Sequence, residues 1–329
     1  MDRTNVVAAL ETLGMKGAIR SALDVLSVAR GAMVYSRTSK TPEPSYQSMI
    51  RLFCATKGLS NDALSWALSL ARPPLDLPPA RGALGDLSAD DVARITRVLD
   101  ERGYYVIENA LSEELIGKLL DFTRRTPAVV RGSSQRLVFE PGKPRGVRYD
   151  YDPADLAQDP TVQRLFADAS ILAVGQSYLR SAPVHDILTM WWHTAFSKEP
   201  DKDAAQFFHF DMDRLRWIKF FFYLTDVAPE NGPHTFVAGS HRRNGIPSEL
   251  LRQGYARLSD DEVKRHYKPQ DLIEFTGRRG TVIIEDTRGL HKGRHVEQGE
   301  RLVLQLQLSN SFFGTVNSRV KVGQVRDEL

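Results

Sequence analysis

The hydrophobic pattern divides the chain into a helical beginning and a β-rich end. Apolar residues recur at helical spacing through about residue 70: Val6, Leu10 and Leu13 as far as Gly14, then Ile19, Leu23 and Leu26 as far as Gly31. A third helix starts at Ser60, carries Leu64, Ala67 and Leu68, and must stop at Pro73-Pro74. Residues 73–85, rich in Pro and Gly, read as a linker. Ser88 then caps a helix with Asp91 in its third position and Val92, Ile95 and Leu99 on one face. Gly103 ends it, and residues 104–107 follow as a strand. Ser112 caps a second amphipathic helix through Leu115, Leu119 and Phe122. Residues 127–152 are polar and read as a loop carrying Arg131, Arg136, Arg145 and Arg148, a solvated surface or a contact for an anionic substrate.

From about residue 185 the period changes to two. Strands are predicted at 187–196, 206–211, 216–226, 234–238, 271–276, 280–286, 290–296 and 301–309, with a polar, basic insertion at 244–270. Eight short strands with turns between them predict a sandwich or jelly-roll barrel. The organisation expected is a helical extension over 1–72, a linker over 73–85 and a main domain over 86–329. The extension carries no evident chemistry, and packing on the main domain or self-association is its expected role. In the last strand Leu302, Leu304, Leu306 and Leu308 share one face, and Arg301, Val303, Gln305, Gln307 and Ser309 share the other. The leucine face should pack on the helices of the first half. The other must look into the barrel, where a buried Arg301 needs a carboxylate or an anionic ligand.

Bulk properties narrow the class. At 329 residues and 42% hydrophobic the chain can bury a large core, and a net charge of +3 without a long basic run argues against nucleic-acid binding. No apolar stretch approaches the roughly 20 residues of a membrane span, and the N-terminus lacks the layout of a secretion signal. The single Cys54 fits a reducing compartment, so a cytoplasmic location is expected. The terminal Arg-Asp-Glu-Leu329 resembles an endoplasmic-reticulum retention signal and reads as coincidence.

The candidate chemistry lies at His209-x-Asp211. In an extended chain the two side chains share a face and supply two corners of an octahedral site, to which a second histidine would add the 2-His-1-carboxylate arrangement of Fe(II). With 8 histidines in the chain, chance alone supplies about 0.6 His-x-Asp matches. His291, ten residues before Arg301, is the candidate third ligand, and Gly289 and Gly293 beside it permit close backbone approach. His295 is the rival. A dicarboxylate could chelate the metal at one end while Arg301 holds the other.

These residues resemble the phytanoyl-CoA dioxygenase group of Fe(II)/2-oxoglutarate-dependent oxygenases over residues 86 to 310. The resemblance rests on His209-x-Asp211, on Leu224-Thr-Asp226 through Asn231-Gly232-Pro233 into Gly239-Ser240-His241-Arg242, on Gly280, His291-x-Gly293 and Arg301, and on the stretch from Ser88 through Gly103 to Glu108. It implies a mainly β protein with α elements: a double-stranded β-helix core of jelly-roll or cupin-like type, flanked by helices. It also implies iron held by His209, Asp211 and His291, 2-oxoglutarate bound by Arg301, and O2 as the oxidant. The reaction implied is hydroxylation of an unactivated C–H bond with release of succinate and CO2. Where many members carry Ser or Thr two residues after the distal histidine this chain has Gly293, and where many have Gly-Asp it has Gly280-Thr281. The other cosubstrate contacts are expected from the strand 187–196, from Thr194 or His193, with Thr194 as the choice. In related halogenases a small residue replaces the carboxylate, so Asp211 favours hydroxylation, desaturation or ring closure.

A small-molecule substrate is expected, with Arg148, Gln206 and Lys219 as candidate contacts. The competing readings are a catalytically silent barrel that serves as a binding or scaffold protein, and a hydroxylase of peptides or proteins. His234 and His241 read as structural, and Trp191, Trp192, Phe207 and Phe208 as core.

Overall fold

In the computed structural model residues 3–201 and 205–315 are described, and the retention-like C-terminus lies outside them. Three helices lead the chain: α1 (Arg3–Thr38), α2 (Glu43–Thr56) and α3 (Leu59–Ala71). A small hairpin of β1 (Arg81–Gly82) and β2 (Gly85–Asp86) precedes α4 (Ala89–Arg102), β3 (Tyr104–Ile107) and α5 (Glu113–Arg125). Next come β4 (Ala128–Val130), β5 (Arg136–Leu137) and β6 (Arg148–Asp150), then α6 (Pro153–Gln158), α7 (Pro160–Phe166) and α8 (Ala169–Leu179). The remaining strands are β7 (Val184–Thr194), β8 (Trp217–Tyr223), β9 (His234–Val237), β10 (Leu272–Phe275), β11 (Val282–Glu285), β12 (His291–Gly293) and β13 (Glu300–Ser309).

Eight strands form one antiparallel sheet in the order β3-β11-β8-β13-β7-β6-β4-β5, and three form a second in the order β10-β9-β12. The alternation of β13 decides how the large sheet is used. Leu302, Leu304, Leu306 and Leu308 join one buried cluster with Ile95 and Leu99 of α4, Leu119 of α5 and Val174 of α8. Each such side chain contributes roughly 1.5–3 kcal/mol by leaving water, so the leucine face fixes the sheet against the helices. The opposite face of β13, with the facing residues of β7 and β8, is left to line the barrel interior. The start of α4 follows its sequence closely: the Ser88 hydroxyl accepts from Asp91 N–H while the Asp91 carboxylate accepts from Ser88 N–H.

Several expected boundaries differ from the observed ones. Neither Gly14 nor Gly31 ends a helix, because α1 runs through both. A glycine costs a helix only about 1 kcal/mol, and at position 31 its lack of a side chain lets α2 approach: a Cβ there would lie 2.4 Å from Ser45. Residues 127–152 are not a loop but contain β4, β5 and β6, which extend the sheet beyond β7. Two of their arginines are paired at 2.9 Å, Arg131 with Asp150 and Arg136 with Asp155. The run 206–211 makes only isolated bridges, Phe208 to Leu258 and His209 to His291, in place of a full strand. The proline-rich segment docks on the domain, where the Leu75 backbone exchanges hydrogen bonds with the Gln176 side chain of α8. The insertion holds two short helices, Ser248–Leu251 and Asp260–Lys264.

The helical extension closes one end of the barrel. Met49, Leu52 and Phe53 of α2 are buried in one cluster with Phe208, Phe210, Met212 and Leu290, the neighbours of the candidate metal ligands. The Phe53 and Phe210 rings stack with centroids 5.6 Å apart. Among the described residues no helix is long and apolar enough to cross a membrane.

Candidate metal centre

Backbone pairing brings the two histidine segments together. His209 N–H donates to the His291 carbonyl at 3.0 Å and His291 N–H to the His209 carbonyl at 2.8 Å, and the Asp211 N–H is held by the Thr287 carbonyl at 2.8 Å. Gly289 makes the approach possible, since a Cβ there would sit 2.6 Å from the Phe236 ring. The imidazole tautomers follow from second contacts. His209 Nδ1 lies 2.9 Å from the Phe207 carbonyl and His291 Nδ1 lies 3.0 Å from the Gly289 carbonyl. A carbonyl can only accept, so both Nδ1 atoms carry the proton and both Nε2 lone pairs are free to ligate. They converge on the carboxylate: His209 Nε2 is 3.7 Å from Asp211 Oδ1, and His291 Nε2 is 3.5 Å from Asp211 Oδ2. The ligand atoms of His209, Asp211 and His291 all lie within 4.8 Å of one another, and all three residues are buried.

The electrostatics suit a cation. Burial pushes His291 down to about 4 and His209 well below the usual histidine range, so both are neutral near pH 7, as metal ligation requires. Burial alone would raise the Asp211 carboxyl, but the Lys219 ammonium, then the two histidines, hold it well below the usual carboxylate range. Lys219 Nζ lies 2.5 Å from Asp211 Oδ2 and 3.2 Å from Asp213 Oδ2. Two neutral imidazoles and one ionised carboxylate form the donor set that suits Fe(II) with positions left open.

These groups share one cavity of about 220 Å3 with the inner face of β7, β8 and β13, including Trp191, His193, Phe221, Tyr223, Arg301 and Gln305. Arg301 is 2% exposed, and among the described residues no carboxylate pairs with it. One nitrogen, Nη2, lies 3.1 Å from His193 Nδ1, while Nε and Nη1 have no partner. A buried guanidinium in this condition is costly unless an anion meets it, so the residue fits a carboxylate entering from the cavity. Gly293 adjoins it: a Cβ at 293 would come within 3.3 Å of Arg301 Nη2.

The structure therefore brings His209, Asp211, His291 and Arg301 to one cavity, and Arg148 and Lys219 with them. Arg148 is paired with Asp150 at 2.7 Å and lies over the Trp191 ring. Lys219 is committed to Asp211 and Asp213 rather than left for a substrate. Thr194 is not in the cavity, because its hydroxyl donates to the Gly146 carbonyl at 2.8 Å on the far face of β7, and alternation turns His193 inward instead. Gln206 also falls outside the wall, where its Oε1 accepts from the Asp201 N–H at 2.7 Å. The rival His295 lies away from the cluster, its Nδ1 3.4 Å from Gln206 Oε1.

His234, read from the sequence as structural, meets Glu285, which the sequence did not single out. His234 Nε2 and Glu285 Oε2 are 2.8 Å apart at the cavity edge. Burial pushes His234 down to about 3 and Glu285 well above the usual carboxyl range, so the two meet as neutral groups. His234 lies on the expected strand 234–238, but only cross-strand register places it beside the site.

A barrel of this topology with three convergent ligand atoms and a buried arginine in one cavity fits a non-haem oxygenase of the 2-oxoglutarate-dependent class. The phytanoyl-CoA dioxygenase (PhyH) family model matches residues 99–297, and the chain belongs to that family. No curated protein matches the sequence. Among solved structures, HygX from Streptomyces hygroscopicus, with nickel and 2-oxoglutarate bound, is 20% identical over 69% of this chain and 89% of its own, with a TM-score of 0.50. EctD from S. alaskensis with bound Fe is 21% identical over 72% and 83%, with a TM-score of 0.46. The non-haem α-ketoglutarate-dependent epimerase SnoN from nogalamycin biosynthesis is 19% identical over 67% and 83%, with a TM-score of 0.46. The protein is thus an iron- and 2-oxoglutarate-dependent oxygenase with a double-stranded β-helix core.

Proposed function

We propose that the chain hydroxylates an unactivated C–H bond of a small molecule, with His209, Asp211 and His291 as the iron ligands and Arg301 as the anchor for the far carboxylate of 2-oxoglutarate. The observation that carries this reading is an Arg301 guanidinium with no carboxylate partner among the described residues, in the same cavity as three convergent ligand atoms. Iron bound there would supply the oxidative decarboxylation of 2-oxoglutarate by O2 and the delivery of one oxygen atom to the substrate. The protein's own residues bind and orient. The Phe207 and Gly289 carbonyls hold the imidazoles in the ligating tautomer, Lys219 holds Asp211 ionised, and Arg301 with His193 aligns the cosubstrate. Arg148 and Gln305 stand on the same cavity wall and are the residues we assign to substrate contact. A cavity of about 220 Å3 suits a small molecule better than a folded partner. Residues 86–329 are read as the oxygenase domain and residues 1–72 as an extension whose α2 supports the ligand loop.

The test is anaerobic addition of Fe(II) and 2-oxoglutarate, followed by the weak visible charge-transfer band of the chelate. The band should form in the wild type, vanish in His209→Ala and need far more 2-oxoglutarate in Arg301→Ala. An unchanged cosubstrate affinity in Arg301→Ala would refute the assignment.

A further inference from the structure

A second cleft, of about 320 Å3, lies between α3 and the main domain and shares no lining residue with the metal cavity. Five arginines line it, against two lining aspartates, Asp62 and Asp100, and Asp286 behind them. Pairing leaves the charge uneven. Arg288 is saturated, with Asp286 on one side and Asp62 on the other. Asp100 is shared, accepting from Arg180 at 3.0 Å and from Arg216 at 3.2 Å. Arg242 and Arg243 are exposed and have no acidic partner among the described residues. Counting Asp286, five cations face three anions, an excess of two.

The cleft is also built to present these groups. Arg216 packs its guanidinium 4.4 Å from the Tyr178 ring centre, and its Nε is buried without a partner. Arg242 and Arg243 stand on a turn folded on itself, where Gly245 N–H donates to the Arg242 carbonyl at 2.7 Å. A Cβ at Gly245 would meet the carbonyl oxygens of Gly239, Ser240 and Arg242 within 2.8 Å, so the turn closes only around glycine. On the rim, the Trp66 indole of α3 is 67% exposed.

We propose that this cleft is a binding site for a phosphoryl group, free or carried on a small molecule whose ring lies on Trp66. The local excess of two charges matches a phosphate dianion better than a single carboxylate. Its tetrahedral oxygens can accept from several guanidinium forks at once. The site is independent of the iron, and it gives the helical extension a binding role, since α3 supplies one wall.

The test is calorimetry on the full-length chain without added metal, at low salt, with inorganic phosphate and phenyl phosphate as probes. The wild type should bind each probe at one site. Arg242→Gln/Arg243→Gln, exposed positions that leave the fold intact, should weaken both at least tenfold, and Arg301→Ala should leave both unchanged. Arg288 is unsuitable for substitution, because neighbouring Thr287 holds the Asp211 backbone. Tighter binding of phenyl phosphate, lost in Trp66→Ala, would identify a carried phosphoryl group, and equal binding of the two probes a free one. No saturable binding, undiminished binding in the double variant, or loss of binding in Arg301→Ala would each overturn the proposal.

Discussion

Lys219 places its Nζ 2.5 Å from Oδ2 of Asp211, so a buried ammonium rests against the carboxylate proposed as the metal ligand. Asp213 shares the same ammonium at 3.2 Å, and burial pushes its carboxyl upward against the pull of Lys219. One lysine thus offsets two carboxylates that would otherwise face each other in a dry site. Removing it by Lys219→Met should destabilise the metal-free protein by about 3–5 kcal/mol, the usual cost of leaving a buried charge unpaired. A divalent cation would replace the missing charge at Asp211. Mn(II) should therefore raise the melting temperature of the variant by more than it raises that of the wild type. Equal shifts would show that Lys219 does not serve this carboxylate.

Acid should unfold the metal-free protein through its buried histidines. His185, His241 and His291 are each pushed down to about 4 and His234 to about 3, in every case chiefly by burial, and His209 is also lowered. The folded state therefore refuses protons that the unfolded state accepts below its ordinary histidine value of about 6.5. Stability is full above that value and falls as pH drops from about 6.5 toward 4, by up to roughly 1.4 kcal/mol per pH unit for each histidine. Urea unfolding at pH 7, 6 and 5 measures the slope. Saturating Mn(II) should raise stability at each pH but leave the slope unchanged, since ligation only maintains the unprotonated state that His209 and His291 already hold in the fold. A flat profile over this range would contradict the neutral-histidine assignment.

Gly293 leaves Arg301 just enough room. A side chain begins 3.3 Å from Nη2 and 3.7 Å from His193 Cε1, so Gly293→Thr should displace the guanidinium from its present position. The expected result is a rise in the 2-oxoglutarate KM of about tenfold, roughly 1.4 kcal/mol, with metal affinity unchanged. Isothermal titration with Mn(II), beside steady-state kinetics in 2-oxoglutarate, separates the two quantities.

How much of this was readable depends on whether one segment or two elements decide a feature. Within β13 the Leu302 to Leu308 face and the Arg301 face are separated by simple alternation, and the fold supports that division directly. The strand β7 offers no such contrast. Its run Met190-Trp-Trp-His193-Thr194 is buried on both faces, so Thr194 could not be told from His193 until pairing with β13 fixed the inward side. The strands β4 to β6, of two or three residues each, are too short to show a period. The Lys219–Asp211 pair and the His234–Glu285 pair each join different elements, and nothing local in either partner announces the other. Gly31 reads as a helix end because its actual reason, the approach of Ser45, lies on another helix.

The extension should prove inseparable from the ligand loop. Phe53 is 4% exposed and stacks on Phe210, which lies between His209 and Asp211. Phe53→Ala should cost about 3–5 kcal/mol, the range for deleting a buried aromatic ring, and should weaken metal binding along with stability. A chain beginning at residue 73 should bind Mn(II) poorly for the same reason. Native metal affinity in that truncated chain would show the extension to be a mere appendage.

The same extension has an outer surface without a partner among the described residues. Ile19, Leu23, Leu26 and Met33 of α1 are all at least 59% exposed, and their spacings of four, three and seven residues place them along one stripe. That spacing is the repeat of a helix pair packed along a seam, and an exposed apolar stripe of this kind favours contact with a second surface. Self-association through α1 is therefore expected, with a second copy supplying the same stripe. Leu23→Lys/Leu26→Lys puts charges in the middle of the seam at solvent-exposed positions, where the fold of the monomer is not at stake. Sedimentation velocity should show the wild type as a dimer and the double variant as a monomer with an unchanged melting curve. A wild type that sediments as a monomer at tens of micromolar would remove this role from α1.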